Sequence, residues 1–377
     1  MTELELTTNT GLESFVLDEW SEVAAHLPGA GGGPTPAHAQ GRVRVWAEAS
    51  QDDVVAAAMQ LRTIHHVLRM VDEFLLADAA PLEHIRARLA TLHFAELDPE
   101  GTSFRITSER SGSHDFTSPE VQRAAGAGVL DRRKRPVRMK GHDVELRCDV
   151  RVDRVKVAVQ YTRRSLAQRF IRPFRPRTAL KANVARAMLK LARPPELPAP
   201  RAILDPCCGS GTLLLEAAHA WPDALLAGSD TSEMCARGVQ ENVAAEPFDT
   251  PVQVRRGDAR LLDHVWAGQR FDTVVANLPF GLRLGARIHP YWFAVDLLGA
   301  IARAMDEGGR VVLLTTHRRT LNTAVSQGGH FRVRFVRVIE MGGVHPGMFL
   351  LERTAKEAVP PRERLLELGL NADAVDG

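Results

Sequence analysis

Cysteine is scarce in this chain. Its 377 residues include four, Cys148, Cys207, Cys208 and Cys235, which give neither a disulfide framework nor a zinc spacing. The fourteen histidines form no His-x-x-x-His group and there is no Cys-x-x-Cys, so no metal and a reduced environment are expected. Long apolar runs are missing too: none approaches the ~20 residues that cross a membrane. The amino end, with Glu3 and Glu5, has neither the basic nor the apolar stretch of a secretory signal. A cytoplasmic protein without membrane contact is the expectation, and a monomer. Net charge is nearly absent at +2, but the basic residues behind that sum are unevenly spread.

What is present fits an average soluble globular protein, with 45% hydrophobic and 25% charged residues. The length calls for two or three domains. Residues up to about 10 are expected to be disordered. Leu12, Phe15, Val16, Trp20, Val23 and Leu27 then recur at helical spacing. The glycine-rich run 28–36 reads as a flexible loop, 42–47 as a short strand and 52–67 as a helix. An alternating segment at 68–75 and a helix at 81–92 follow. His65 and His66 could be ligands, but helical neighbours face different ways, which favours a structural role.

Beyond residue 102 the pattern predicts a strand at 103–108, then a loop rich in hydroxyls. A helix follows, capped by Ser118 with Pro119 in its first turn. Strands are predicted at 144–150 and 154–161. Basic residues gather here: Arg132, Arg133, Lys134, Arg135, Arg138 and Lys140, then Arg163, Arg164, Arg169, Arg172, Arg175 and Arg177. Charge runs are usually solvated surface. The density of these, and the scarcity of carboxylates among them, favour an RNA-phosphate surface, because Lys and Arg neutralising the backbone supply most nucleic-acid affinity. The strand Phe104-Arg-Ile-Thr-Ser108, the loop to Phe116-Thr-Ser118 and the two late strands resemble a THUMP domain behind a ferredoxin-like partner. That family binds the 3′ end of tRNA, so the resemblance implies a tRNA partner.

After a basic, proline-rich connector and an amphipathic helix at 180–193, an α/β rhythm begins. Strand 202–205 leads into Asp205-Pro206-Cys207-Cys208-Gly209-Ser210-Gly211-Thr212 and a helix. A glycine turn of this kind brings a ligand to the backbone and to a helix N-terminus. The third glycine of the dinucleotide fingerprint is lacking. Asp205 ahead of the turn suits an ammonium, which makes S-adenosylmethionine a better candidate than a pyrophosphate. Asp230, about 20 residues on, suits ribose hydroxyls. Asp258, followed by Ala259, suits an adenine amine. A fourth strand ends at Asn277-Leu278-Pro279-Phe280-Gly281. Proline donates no N–H and holds its predecessor extended, so the turn offers acceptors beside an aromatic face, as a planar exocyclic amine requires. Each site alone is ordinary βα-turn chemistry. Together, at the carboxyl ends of successive strands, they form a ligand site.

Order and residues resemble the class I methyltransferase fold, and more closely the THUMP-containing tRNA guanine-N2 methyltransferases. Asp205-Pro-Cys-Cys-Gly-Ser-Gly-Thr212 and Asn277-Leu-Pro-Phe-Gly-Leu-Arg283 carry that resemblance. Relatives with this domain order methylate guanosine 6 of the acceptor stem. The implied fold is α/β, a Rossmann-like domain at 199–355 with a mostly parallel seven-stranded sheet. Before it stand an α+β ferredoxin-like domain at 11–100, a THUMP domain at 101–170 and a linker and helix at 171–198; a tail follows at 356–377. Implied site residues are Asn277, Pro279 and Phe280 for catalysis. Asp205, Pro206, Cys207, Gly209, Gly211, Thr212, Asp230, Asp258, Ala259 and Asn277 would hold S-adenosylmethionine. Arg132, Arg133, Lys134, Arg135, Arg163, Arg164, Arg172, Arg175 and Arg283 would hold RNA. Leu278 replaces the commoner proline, which leaves the chemistry intact. The rival assignments are guanine-N2 methylation of ribosomal RNA or of another tRNA position, adenine methylation in DNA, and RNA binding without catalysis.

Overall fold

The computed structural model describes residues 1–35, 40–279 and 289–355. They form two compact units, one of Met1–Thr8 with Val16–Leu166, the other of Asn9–Phe15 with the chain from Ala167 onward.

In the first unit the elements run β1 (Thr2–Thr7), α1 (Glu13–Val23), β2 (Gly31–Pro34), β3 (Arg42–Ala47), α2 (Gln51–Ala58) and β4 (His66–Leu75). Then come α3 (Pro81–Thr91), β5 (Phe104–Thr107), β6 (Arg110–Ser111), α4 (Ser118–Arg132), β7 (Val144–Arg151) and β8 (Arg154–Gln160). All the strands belong to one sheet, ordered β2-β3-β1-β4-β8-β7-β5 with β6 beside β7. Antiparallel pairing of β4 with β8 joins the two sequence-defined segments into that sheet. Leu4, Leu6, Val43 and Val45 bury against Val16 and Trp20 of α1 and Val54 of α2. Leu146 of β7, with Val155 and Val157 of β8, buries against Ile85 and Leu89 of α3 and Val121 and Val129 of α4.

Three expectations fail here. Residues 2–7 are not disordered but form β1, paired on both edges, with β3 and with β4. The glycine-rich run holds a strand, β2, because Gly31 lets it lie on Trp46: a Cβ there would stand 2.7 Å from the indole nitrogen. The helix expected to reach residue 67 stops at Ala58, and His66 and Val67 pair with β1 instead. One cap also moves. Thr117, not Ser118, caps α4, with Glu120 accepting from the Thr117 N–H at 2.8 Å.

The opposite face of the sheet is charged yet buried. Arg42 pairs with Glu5 and, at 2.6 Å, with Asp149; Arg147 reaches Asp149 at 2.8 Å and Lys156 reaches Glu5 at 2.7 Å. Each of these side chains is at most 8% exposed.

The second unit contains α5 (Ala182–Ala192), β9 (Ala202–Asp205), α6 (Thr212–Ala220), β10 (Leu225–Asp230), α7 (Glu233–Ala244) and β11 (Val252–Arg256). It continues with α8 (Leu262–Val265), β12 (Phe271–Asn277), α9 (Pro290–Ala304), β13 (Met305–Thr315), α10 (Arg318–Gly328), β14 (Phe331–Val338) and β15 (Gly347–Arg353). The sheet order is β11-β10-β9-β12-β13-β15-β14. The first five strands are parallel, and β15 alone runs against them, antiparallel to both β13 and β14, which is the expected mostly parallel seven-stranded sheet. Alternate residues serve opposite cores. Leu204, Val274 and Val311 face α9 and α10, while Ile203, Val275 and Val312 face α5 and α6. Both faces are covered, so the strands read as continuous apolar runs. The segment 9–15 joins the second of these cores through Leu12 and Phe15. Asn9 accepts from Asn183 at 2.9 Å and donates to the Glu340 carbonyl at 2.8 Å.

Burial alone would raise the Glu5 and Asp149 carboxyls; the surrounding Arg42, Arg147 and Lys156 outweigh it and hold both below the usual range. Their stabilisation is therefore complete above the unfolded carboxyl values of about 4 and is lost as pH falls through the lower folded ones. Arg42→Met takes one of two cationic partners from each of two buried carboxylates and should destabilise the first unit by about 3 kcal/mol at pH 7, the lower end for breaking a buried pair. The deficit should narrow below pH 5 as those carboxyls take up protons. Urea unfolding at both pH values measures this, and a deficit under ~1 kcal/mol at pH 7 would show the network to be dispensable.

Candidate active site

Parallel pairing places the ends of β9, β10, β11 and β12 on one edge of the sheet, and a cavity of about 470 Å³ opens there. Asp205, Pro206, Cys207, Gly209, Thr212, Asp230, Asp258, Ala259, Asn277 and Pro279 line it. Gly211 does not. Its role is packing, since at φ +75° a Cβ would stand 2.7 Å from Val239 Cγ1. Gly209, at φ +52°, has nothing within 4 Å of that position, leaving open space over the turn. Phe280 and Arg283 lie outside the described residues.

Asp205 is 1% exposed and accepts only the Cys207 N–H, at 3.2 Å, among the described residues. Burial pushes its carboxyl up to about 8; the Cys207 bond opposes this and Asp230 adds to it. Such a group calls for a cation. Asp230 braces the turn, accepting from Gly209 N at 3.0 Å through Oδ2 and from Ser232 N at 2.9 Å through Oδ1. Each oxygen keeps lone-pair capacity for a hydroxyl. Asp258 is less free than the sequence suggests. Arg260 donates to it at 2.6 Å through Nη2 and 3.0 Å through Nε, and these bonds hold the carboxyl below its ordinary value. Asn277 ends β12, where the Leu278 N–H donates to the Leu314 carbonyl at 3.0 Å. Its Oδ1 is buried and has no partner among the described residues. Burial, then the nearby carboxylates, pushes the Cys207 and Cys208 thiols well up. Neither is a nucleophile.

The connector supplies lining that the sequence did not reveal: Pro176, Thr178, Ala179 and Leu180. Asn242 ties it down, bonding the Phe174 N–H at 3.0 Å, the Phe174 carbonyl at 2.8 Å and the Ser210 carbonyl at 2.9 Å. Arg172, expected on RNA, donates to Thr212 Oγ1 at 2.9 Å and is half-buried. Arg175 is exposed. Thr231, Ser232, Arg260 and Phe293 also line the cavity. Ser232 alone had a sequence signal, as the residue that caps α7 by accepting the Cys235 N–H.

The other basic residues divide in two. Arg132 donates to the Thr91 carbonyl, Arg133 pairs with Asp98, and Arg135 donates to the Leu97 and Asp98 carbonyls at 2.9 and 3.1 Å. Lys134, Arg163 and Arg164 are exposed. Arg138 and Arg163, remote in sequence, both act on Asp143, whose carboxyl is lowered first by its Ser103 bonds. Among the described residues no group of His, Cys, Asp and Glu could hold a metal, and no helix is long and apolar enough to cross a membrane.

These residues fit S-adenosylmethionine: Asp205 would take its ammonium, Asp230 its ribose hydroxyls, and Asp258 with Ala259 its adenine. With its carboxyl pushed up to about 8, Asp205 is protonated at neutral pH in the cofactor-free protein. A bound ammonium stabilises the ionised form, so cofactor binding should release a proton and tighten as pH rises from 6 to 8. Calorimetry in buffers of different ionisation heat measures that release; heats independent of buffer would refute it.

The chain matches the THUMP domain over residues 79–160 and the RMKL-like methyltransferase domain over 169–346. A tRNA (guanine(6)-N2)-methyltransferase of Thermus thermophilus is 36% identical across 93% of this chain and 99% of its own. The bovine tRNA (guanine(6)-N(2))-methyltransferase THUMP3 is 31% identical over 71% of this chain, which spans about half (54%) of that relative. The crystal structure of TrmN from Thermus thermophilus superposes with a TM-score of 0.73 at 34% identity, covering 93% of this chain and 99% of that one. With overlap of that extent, and with the cofactor cavity described above, the chain belongs to the family of THUMP-domain, S-adenosylmethionine-dependent tRNA (guanine-N2) methyltransferases.

Proposed function

We propose that this chain is a cytoplasmic enzyme that methylates N2 of a guanosine in tRNA, at position 6 of the acceptor stem. The observation that carries it is the buried Asn277 Oδ1 at the wall of the cavity, without a hydrogen-bond partner among the described residues. An unsatisfied buried acceptor costs about 1–3 kcal/mol, so its retention there points to an N–H supplied by the substrate. The relatives' guanine-6 activity supports the position.

S-adenosylmethionine supplies an electrophilic methyl on a sulfonium. Guanine N2 is a poor nucleophile because its lone pair is delocalised into the ring. Asn277 Oδ1 takes one amine N–H and turns the lone pair toward the methyl. Pro279 lines the same wall and offers no competing N–H. The N2–C bond forms as the C–S bond breaks, its electron pair stays on sulfur, and N2 then gives a proton to solvent. The base must first leave its helix, at a cost of a few kcal/mol. Positioning, rather than a strong base, supplies the rate. Phosphates are held by the exposed Lys134, Arg163 and Arg164, while Arg132, Arg133 and Arg135 are engaged by the Thr91 carbonyl, Asp98 and the Leu97 carbonyl.

Asn277→Ala should lower kcat on the order of 10²–10³ with little change in cofactor affinity, read by single-turnover methylation and nucleoside mass spectrometry. Full turnover in this variant would remove Asn277 from the mechanism. Replacing Arg163 and Arg164 by Gln should weaken tRNA binding and flatten the log K against log salt slope by about 2; an unchanged slope would move the phosphate contacts elsewhere.

A further inference from the structure

The edge that carries the cofactor site has a fifth strand end, to which nothing has been assigned. β13 runs parallel to β12 with Asn277 opposite Leu314, so Thr315, Thr316 and His317 leave the sheet beside the Asn277 turn. α10 starts there with Arg318 and Arg319. Both arginines are exposed, and neither has a carboxylate partner among the described residues. The first turn of α10 contains no acidic residue, and no side chain caps it. Two cations at the positive end of a helix are electrostatically unfavourable for the protein alone.

Two further observations point to an anion rather than bare surface. His317 Nε2 is buried without a partner among the described residues, while the His317 N–H is already satisfied by Thr315 Oγ1 at 3.1 Å. Buried polar atoms are nearly always bonded, so one beside a reactive turn awaits a ligand atom. Arg318 is also seated: its Cγ and Cδ occupy the space a side chain at residue 347 would need, 2.9 and 3.0 Å from a Cβ built on Gly347. That contact seats the stem beside the end of β15, where Gly347 pairs with Thr315, and the Arg318 side chain is exposed there.

We propose that His317, Arg318 and Arg319 form a phosphate clamp for the RNA strand flanking the displaced guanosine. It rests on the RNA-methylation reading above. Arg318 and Arg319 neutralise phosphates, the free N–H groups of the first turn of α10 add to the field, and His317, as its Nε2–H tautomer, donates to a backbone oxygen. The clamp fixes the strand next to Asn277 and does not touch the reacting atoms, so all three are positioning residues.

The test is a pair of double variants in the full chain, R318Q/R319Q and R318K/R319K, with H317A and H317Q beside them. Single-turnover methylation is followed against tRNA concentration and salt, and cofactor binding is measured by calorimetry as a control. R318Q/R319Q should raise the half-saturating tRNA concentration about 10–100-fold and flatten the salt slope by about 1.8, two phosphates at ~0.9 each. The rate at saturating tRNA and the cofactor affinity should stay within about three-fold. R318K/R319K should restore most of the slope, and H317Q should outperform H317A. If R318Q/R319Q matches the wild type in concentration dependence and slope, the clamp does not exist. A loss of cofactor binding would also overturn it, by making the arginines structural. If the wild-type chain itself methylates no tRNA, the RNA reading fails rather than the clamp alone.

Discussion

A carboxyl buried at the end of β9, with no cation bonded to it among the described residues, is the constraint around which the second unit is arranged. Burial raises the Asp205 carboxyl to about 8, so without a cation it is neutral at pH 7. An ammonium ~4 Å away at an effective dielectric of ~20 contributes ~4 kcal/mol, about three pK units. That is enough to ionise a carboxyl of this kind at neutral pH. The same low-dielectric setting that disfavours the lone carboxylate makes the site selective for a positively charged cofactor. Parallel register supplies the rest, since Asp230, Asp258 and Asn277 end neighbouring strands and reach the same cavity.

The turn after Asp205 keeps its shape through contacts drawn from well outside it. Asp230 holds Gly209, Asn242 holds Ser210, and Arg172 holds Thr212. Asn242 and Arg172 bring the connector with them, so the segment ahead of α5 lines the cavity and is not a spacer. The buried pair of Arg169 with Glu216, at 3.2 Å, anchors the beginning of that segment to α6. A substitution at Asn242 would therefore disturb the cofactor turn and the connector together.

Legibility in the sequence followed the range of the interactions. The strand–turn–helix at Asp205, and the polar residues ending β10, β11 and β12, are local patterns, and the cavity contains them. Thr178, Ala179 and Leu180 carry no local pattern; Asn242, 68 residues past Phe174, puts them there. β1 was hidden by the alternation of Leu4 and Leu6 with Glu3 and Glu5. Glu5 is tolerable inside only because Arg42 and Lys156, 37 and 151 residues away, neutralise it. The end of α2 was unreadable for a related reason. Leu61, Ile64 and Val67 continue an apolar pattern that tertiary pairing with β1 diverts from helix. Arg172 had the composition of an RNA contact but the surroundings of a brace, and composition alone cannot separate the two.

The segment 9–15 has a consequence for how the protein is made. Asn9 bonds the carbonyl of Glu340, 331 residues later, and Leu12 shares a core with Ile339 and Met348. During synthesis Asn9 leaves the ribosome 331 residues ahead of Glu340, at ~5–20 residues per second. Until residues 339–348 follow, part of the core that Leu12 and Phe15 enter is missing. The second unit thus closes around residues 9–15 late, a non-local closure that slows folding and makes this early segment a natural place for a chaperone to act.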